Sequence, residues 1–199
     1  MSHSGDCRKM NLPLYTQRLT IRDFRDEDYD DLYELRVHPE CCRYIRPAMT
    51  PEQLREHLIS RKRPWIFADN TWFSMGVFEH GSERLIGELV FRYESMADRR
   101  AEIGYCFHPD VWGRGFAFEA VDAMTCVLFE QLDCHKLSAY FDPANAASRK
   151  LLDRLGCHDE GVRLQHYYVW ERWNDSQTYG LLRSNYTVSR GKLLDGPPK

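Results

Sequence analysis

The chain has 199 residues, of which 43% are hydrophobic, 29% charged and 13% aromatic, with a formal net charge of −3. These values fit one globular domain with a sizeable core and exclude a disordered chain, and the lack of a net basic field argues against a nucleic-acid partner. No apolar run reaches the roughly 18 residues a membrane span needs, and the start "MSHSGDCRKMN" has no apolar signal-peptide core, so the expected setting is cytoplasmic, away from membranes.

Residues 1–13 read as a leader and 14–186 as a single domain, with 187–199, ending "GKLLDGPPK", as a loose tail. Alternation of Leu19, Ile21 and Phe24 with polar partners predicts the first strand. Asp26 to Arg36 follows as a helix with carboxylates in its first turn. "TPEQLREHLISRK" repeats the pattern, with Thr50 as N-cap and Pro51 in the first turn. "WFSMGVFE" and "LIGELVFRYE", joined by "HGSER", form a hairpin, and "RAEIGYCFHP" is a third strand stopped by Pro109.

Next comes "HPDVWGRGFAFEAV", two glycines around an arginine between a strand and a helix spanning Ala117 to Gln131. "KLSAYFD" is a short strand, and "PANAASRKLLDRLG" is a helix closed by Gly156. "HYYVWERWNDSQTYGLLRSNY" gives two aromatic strands around a turn at Trp173 to Asp175. Strands interleaved with helices around a central hairpin define a mixed α/β domain.

Seven scattered cysteines, an odd count with apolar neighbours at Cys106 and Cys126, fit reduced thiols. No C-x-x-C pair or His cluster has metal-ligand spacing, so no metal is expected.

The glycine loop, Trp112 to Ala117, carries the chemical signal. Glycines let backbone N–H groups approach a ligand, and the helix start adds unpaired donors suited to phosphate oxygens. A P-loop would need Lys-Ser/Thr after the glycines, and a dinucleotide fingerprint a third glycine where Phe118 stands. A pyrophosphate cradle of another kind, or a turn with no ligand, remains. In the later helix Asn145 is a natural N-cap, Ser148 lies three residues on, and Arg149-Lys150 follow.

With both helices at this spacing, the chain resembles the GCN5-related N-acetyltransferase family, in particular its branch of ribosomal-protein N-terminal acetyltransferases and related small-amine enzymes. The family's Q/R-x-x-G-x-G/A loop falls on Trp112 to Ala117, with Glu119 and Ala120 following. "AEIGYCFHP" is similar to the family's fourth strand, and "NAASRKLLDRLGC" to its N-x-x-S helix, with Asn145, Ser148, Leu155 and Gly156 in register. "TQRLTIRDFRDEDYDDLYEL" and "QTYGLLRSNY" are similar to its opening and closing elements. Trp112 stands where Gln or Arg is usual, and Cys157 where an aromatic is usual.

The resemblance implies the acyl-CoA N-acyltransferase fold, a mixed and mostly antiparallel sheet flanked by helices, with acetyl-CoA as donor and a primary amine as acceptor. It implies that Gly113, Arg114, Gly115, Phe116 and Ala117 hold the pyrophosphate, with Arg114 adding charge. Tyr105, Cys106 and Phe107 would pair with the pantetheine arm, a backbone N–H near Val111 would polarise the thioester carbonyl, and Asn145 would meet the pantetheine amides. Arg149 or Lys150 would reach the nucleotide phosphates. Glu102 is the first choice of general base, with Glu88 its rival and His166, Tyr167 and Glu171 weaker candidates near the acceptor. Ser148 would serve the departing thiolate, because the tyrosine of another branch maps to Leu152. A protein N-terminus or a small amine fits as acceptor; the alternative is an acyl-CoA-binding sensor without turnover. The aromatic C-terminal strands are compatible with a homodimer.

Overall fold

Alternating side chains build one sheet of eight strands in the computed structural model, which describes residues 10–61, 68–187 and 193–197. The strands are β1 (Leu14–Tyr15), β2 (Leu19–Arg22), β3 (Phe73–Glu79), β4 (Leu85–Ser95), β5 (Arg100–Phe107), β6 (Lys136–Phe141), β7 (His158–Val169) and β8 (Arg172–Leu182). Their spatial order is β1-β2-β3-β4-β5-β6-β8-β7. β5 and β6 pair in parallel, and the other neighbours run antiparallel. The mixed, mostly antiparallel sheet expected from the sequence is present.

The helices are α1 (Tyr29–Val37), α2 (Pro39–Cys42), α3 (Pro51–Arg61), α4 (Phe116–Glu130) and α5 (Ala146–Leu155). Two buried clusters flank the sheet. One face packs Ile21, Met75, Leu89, Phe91, Ala101 and Ile103 against Val121, Met124, Leu128 and Leu152 of α4 and α5. The other packs Phe78 and Leu85 against Leu32, Leu35, Leu54 and Leu58 of α1 and α3. Each fully buried aliphatic side chain contributes about 1.5–3 kcal/mol.

Local chemistry explains the helix ends. At α3 a reciprocal capping box forms: Thr50 N–H donates to Gln53 Oε1 at 2.9 Å, and Gln53 N–H donates to Thr50 Oγ1 at 3.3 Å. Asn145 Oδ1 accepts the Ser148 N–H at 3.1 Å, and α5 closes on Gly156 at φ +92°.

Two sequence expectations are corrected. The last hairpin turns at Trp170-Glu171, not at Trp173 to Asp175: both residues adopt positive φ (51° and 58°), and Val169 faces Arg172. A two-residue hairpin loop favours that twist, which no glycine advertises here. The 3-10 turn at Asp26–Asp28 precedes α1, so the first α-helix starts later than its acidic run suggested.

Met10 and Leu12 pack on the core, and Leu194 N–H donates to the Tyr15 carbonyl at 2.8 Å. Trp65, Cys7 and the other residues of 1–9, 62–67, 188–192 and 198–199 lie outside the described residues. Among the described residues no helix is long and apolar enough to cross a membrane.

Candidate active site

β5 and β6 pair only at Arg100↔Lys136, Ala101↔Leu137 and Glu102↔Ser138, and then diverge. His108 N–H donates to the Ile86 carbonyl at 3.0 Å, which fixes the phase of the β4–β5 ladder. By the alternation of an antiparallel ladder, Cys106 spends its backbone groups on β4, and Tyr105 and Phe107 turn theirs to the opened side. The Phe107 carbonyl accepts the Trp112 indole N–H at 2.8 Å, so the Tyr105 amide group and the Phe107 N–H remain for a ligand.

A cavity of about 640 Å³ occupies the opening, lined by Tyr105, Cys106, Phe107, Val111, Gly113, Gly115, Ala117, Asn145, Ser148 and Lys150 among others. Gly113 (φ +74°) and Gly115 (φ +81°) turn the loop into α4. The first α-helical bond runs from Glu119 N–H to the Gly115 carbonyl, which leaves the N–H groups of Phe116, Ala117 and Phe118 at the open helix end. A Cβ on Gly113 would meet nothing within 4 Å, and Gly113 itself lines the cavity. Glu119 anchors the loop: it accepts from Thr16 Oγ1 (2.6 Å), Arg18 N–H (2.9 Å) and Arg18 Nε (2.7 Å), while Arg18 Nη1 donates to the Arg114 carbonyl at 2.9 Å.

A second cavity, of about 460 Å³, adjoins the first through Tyr44, Ile45, Tyr105, Cys106, Asn145 and Ser148, which line both. One face of β4, Glu88, Val90, Arg92 and Glu94, lines it, with Glu102, Gly104 and Cys106 of β5 opposite. Glu102 accepts from Arg92 Nε at 2.7 Å and Nη2 at 2.6 Å. Burial nonetheless pushes its carboxyl up from the ordinary range, against the pull of Arg92. Glu88 is buried in an ion pair with Arg36, with His57 Nε2 at 3.7 Å. Glu94 accepts from Tyr140 Oη at 2.6 Å and Ser138 Oγ at 3.3 Å.

Ser148 lies in the first turn of α5, and the Tyr105 phenol faces it; burial pushes that phenol well up, and Ser148 opposes the shift. Cys106 lies beside Cys41, and that contact together with burial holds its thiol well above the usual range.

Several expected residues do not reach the cavities. Arg114 pairs with Glu79 at 3.1 Å and lies over the Phe116 ring, so its charge is spent away from the cradle. Phe116 is a buried core residue, and only its backbone reaches the helix end. Arg149 donates to the Pro143 carbonyl at 3.4 Å; Lys150 lines the cavity together with Arg154, one turn on. The Val111 N–H donates to the His108 carbonyl at 3.1 Å, so it is not free for a thioester. Glu171 lies in the hairpin turn, whereas His166 and Tyr167 line the second cavity.

Sequence reasoning missed Arg36, Arg46, Arg92, Glu94, Tyr140 and Arg163 as cavity residues. One signal was available: in "ELVFRYE" the polar residues Glu88, Arg92 and Glu94 share a strand face that an ordinary buried strand would make apolar.

Comparison with known proteins places this geometry. A family model described as an acetyltransferase (GNAT) domain matches residues 18–158. The chain is 32% identical over 175 residues to an uncharacterized N-acetyltransferase, p20, of Bacillus licheniformis, covering 87% of this chain and 97% of that protein. It is 27% identical over 119 residues to the ribosomal protein uS5-alanine N-acetyltransferase of Escherichia coli, covering 59% of this chain and 61% of that protein. Among solved structures, the spermidine N-acetyltransferase of Vibrio cholerae, in complex with CoA and spermine, superposes with a TM-score of 0.71 at 22% identity. That superposition covers 84% of this chain and 97% of the other.

Proposed function

The chain belongs to the GNAT acetyltransferase family, and from that premise we propose that its two joined cavities seat acetyl-CoA and a primary amine, with direct transfer between them. The family uses acetyl-CoA to acetylate amines, and this chain is an N-acetyltransferase of that kind. The observation that carries the site assignment is the early divergence of β5 and β6 after Glu102↔Ser138. It opens a slot between free backbone groups of β5 and the Asn145–Ser148 turn. The Vibrio cholerae spermidine enzyme, of the same fold, is in complex with CoA, which supports CoA as the ligand class.

The donor-side residues fit that ligand. N–H groups from Gly113 to Phe118, at a helix N-terminus, receive the pyrophosphate, and Lys150 with Arg154 replaces the expected Arg149 and Arg114 as the cationic side. Tyr105 and Phe107 extend a backbone ladder to the pantetheine arm. When bound, acetyl-CoA supplies an acyl group activated as a thioester. Ser148 and the Tyr105 hydroxyl beside it hydrogen-bond the departing sulfur.

On the acceptor side an ammonium must lose a proton before it can attack. Glu102 takes that proton, directly or through one water, and its raised basicity suits the task. Arg92 holds the carboxylate in place through two contacts. Glu88 is less suited, because its charge is committed to buried Arg36.

The reading is tested by following free-thiol release from acetyl-CoA with a panel of peptides, polyamines and amino acids. Turnover with at least one amine is expected. Binding of acetyl-CoA with no turnover across the panel would favour a sensor instead.

A further inference from the structure

The charge count of the second cavity narrows the acceptor, if that cavity is the acceptor site of the reading above. Four arginines, three glutamates and one aspartate, Asp142, line it; Asp142 accepts the Ala144 N–H at 2.8 Å. Arg36 pairs with Glu88, and Arg92 with Glu102. Arg46 has neither a hydrogen bond from its guanidinium nor a carboxylate within 4 Å among the described residues, although it is half-buried beside Cys42 and Cys106. Arg163 spends its guanidinium on neutral groups: it donates to Tyr140 Oη at 3.2 Å, touches His166 Nε2 at 3.4 Å and lies over the Tyr140 ring. The third glutamate, Glu94, accepts from two hydroxyls and has a long ion pair with Arg100 at 3.9 Å.

The cavity therefore has two poles. Glu94 and Glu102 lie, with Arg92 and Arg163, at the end where β5 and β6 part, and Arg46 lies, with the Glu88–Arg36 pair, near Cys106, four residues along β5. That separation is roughly 13 Å along the strand, and the long arginine side chain shortens it. An unpaired guanidinium inside a cavity is costly to desolvate, and an anion that enters with the substrate offsets that cost. Its planar fork matches a carboxylate through two parallel N–H bonds.

We propose that the acceptor is an amino carboxylate, a small molecule carrying a primary amine and a carboxylate, and that Arg46 is the specificity-determining residue that binds the carboxylate. The amine then lies at the Glu102 pole, where its proton is removed. A polyamine would place a second cation against Arg46.

The test is thiol release from acetyl-CoA with a homologous series, glycine, β-alanine, 4-aminobutyrate and 6-aminohexanoate, each beside its own carboxamide, with spermidine as a further arm. At least one amino carboxylate is expected to exceed its carboxamide in kcat/KM by on the order of 30-fold or more, the effect of a buried charge pair. Arg46→Gln removes that preference by raising the KM of the acid relative to that of its own carboxamide, and Arg46→Lys restores part of it. Carboxamides or spermidine turned over as well as the acids overturn the proposal while leaving the acetyltransferase reading intact. Loss of all turnover in every arm, with acetyl-CoA still bound, overturns both.

Discussion

Replacing Gly113 by alanine separates the cost of backbone strain from the cost of blocking the donor seat. Gly113 has φ +74°, and a Cβ there meets no atom within 4 Å, so packing adds nothing. The penalty is the left-handed conformation alone, about 1–2 kcal/mol. For a chain of this size that lowers Tm by roughly 2–8 °C. Gly113 also lines the cavity, where loop N–H groups are proposed to face the pyrophosphate. Losing one charge-assisted hydrogen bond there costs about 1.5–3 kcal/mol, roughly a 10- to 100-fold weaker Kd for acetyl-CoA. Gly81→Ala is the matched control: its φ is +76°, its Cβ also meets nothing within 4 Å, and it lies in the β3–β4 hairpin. Thermal unfolding and calorimetric titration with acetyl-CoA are measured on both variants. Equal Tm losses with a weakened Kd only in Gly113→Ala are expected. A Kd unchanged in Gly113→Ala refutes the assignment of the loop as the pyrophosphate seat.

Other outcomes follow from the same geometry. Burial raises the Glu102 carboxyl, so its basic form is reached only at a higher pH than for a free carboxylate. The acid limb of kcat/KM should therefore lie above the ordinary carboxylate range, with activity rising as pH rises through it. Glu102→Gln should remove that limb and lower kcat by about 100-fold, whereas a wild-type limb surviving in the variant excludes Glu102 as base. Ser148→Ala should reduce kcat at unchanged acetyl-CoA affinity, and adding Tyr105→Phe should reduce it less than additively if the two hydroxyls serve one sulfur; full additivity in the rate measurements counts against a shared role. Gly87→Ala should destabilise the fold by about 1–3 kcal/mol or more through overpacking, because its Cβ would fall 2.4 Å from the Phe107 ring and 2.9 Å from the Cys106 carbonyl. A chemical-denaturation midpoint within error of wild type would show that β4 and β5 do not meet in this register.

The fold and the shape of the glycine loop were legible because each is written in residue types that act locally. Pro109 ends a strand, Thr50 and Asn145 cap helices, and the glycines at 113 and 115 adopt the positive φ that the turn into α4 requires. Side-chain roles within the seat were less legible. Arg114 is the residue that composition offers as a phosphate ligand, yet Glu79 of the neighbouring strand lies within 3.1 Å and takes its charge. Arg154 was passed over because it stands outside the Asn145–Lys150 motif, although helical periodicity sets it one turn beyond Lys150 on the same face. The Trp170-Glu171 turn was hidden for the opposite reason: residues that rarely take positive φ do so there because the strands on either side fix the loop at two residues.

The second cavity, proposed to take the acceptor, has a different physical origin, and that explains why its chemistry stayed out of reach of the sequence. Its walls come from the segment after α2, from β4, β6 and β7, and they meet only because β5 and β6 stop pairing after three residue pairs. Where a parallel ladder ends is a property of register and sheet twist, set by packing on both faces rather than by any one residue. The proposed donor seat, by contrast, consists mainly of backbone groups whose positions the glycine loop and the α5 cap determine. The two halves touch at few shared residues, chiefly Tyr105, Cys106, Asn145 and Ser148. On the proposed reading, substitutions at Arg46 or Arg163 are expected to alter which amine is accepted without disturbing the loop proposed to hold acetyl-CoA, because the two sets of residues lie on different elements.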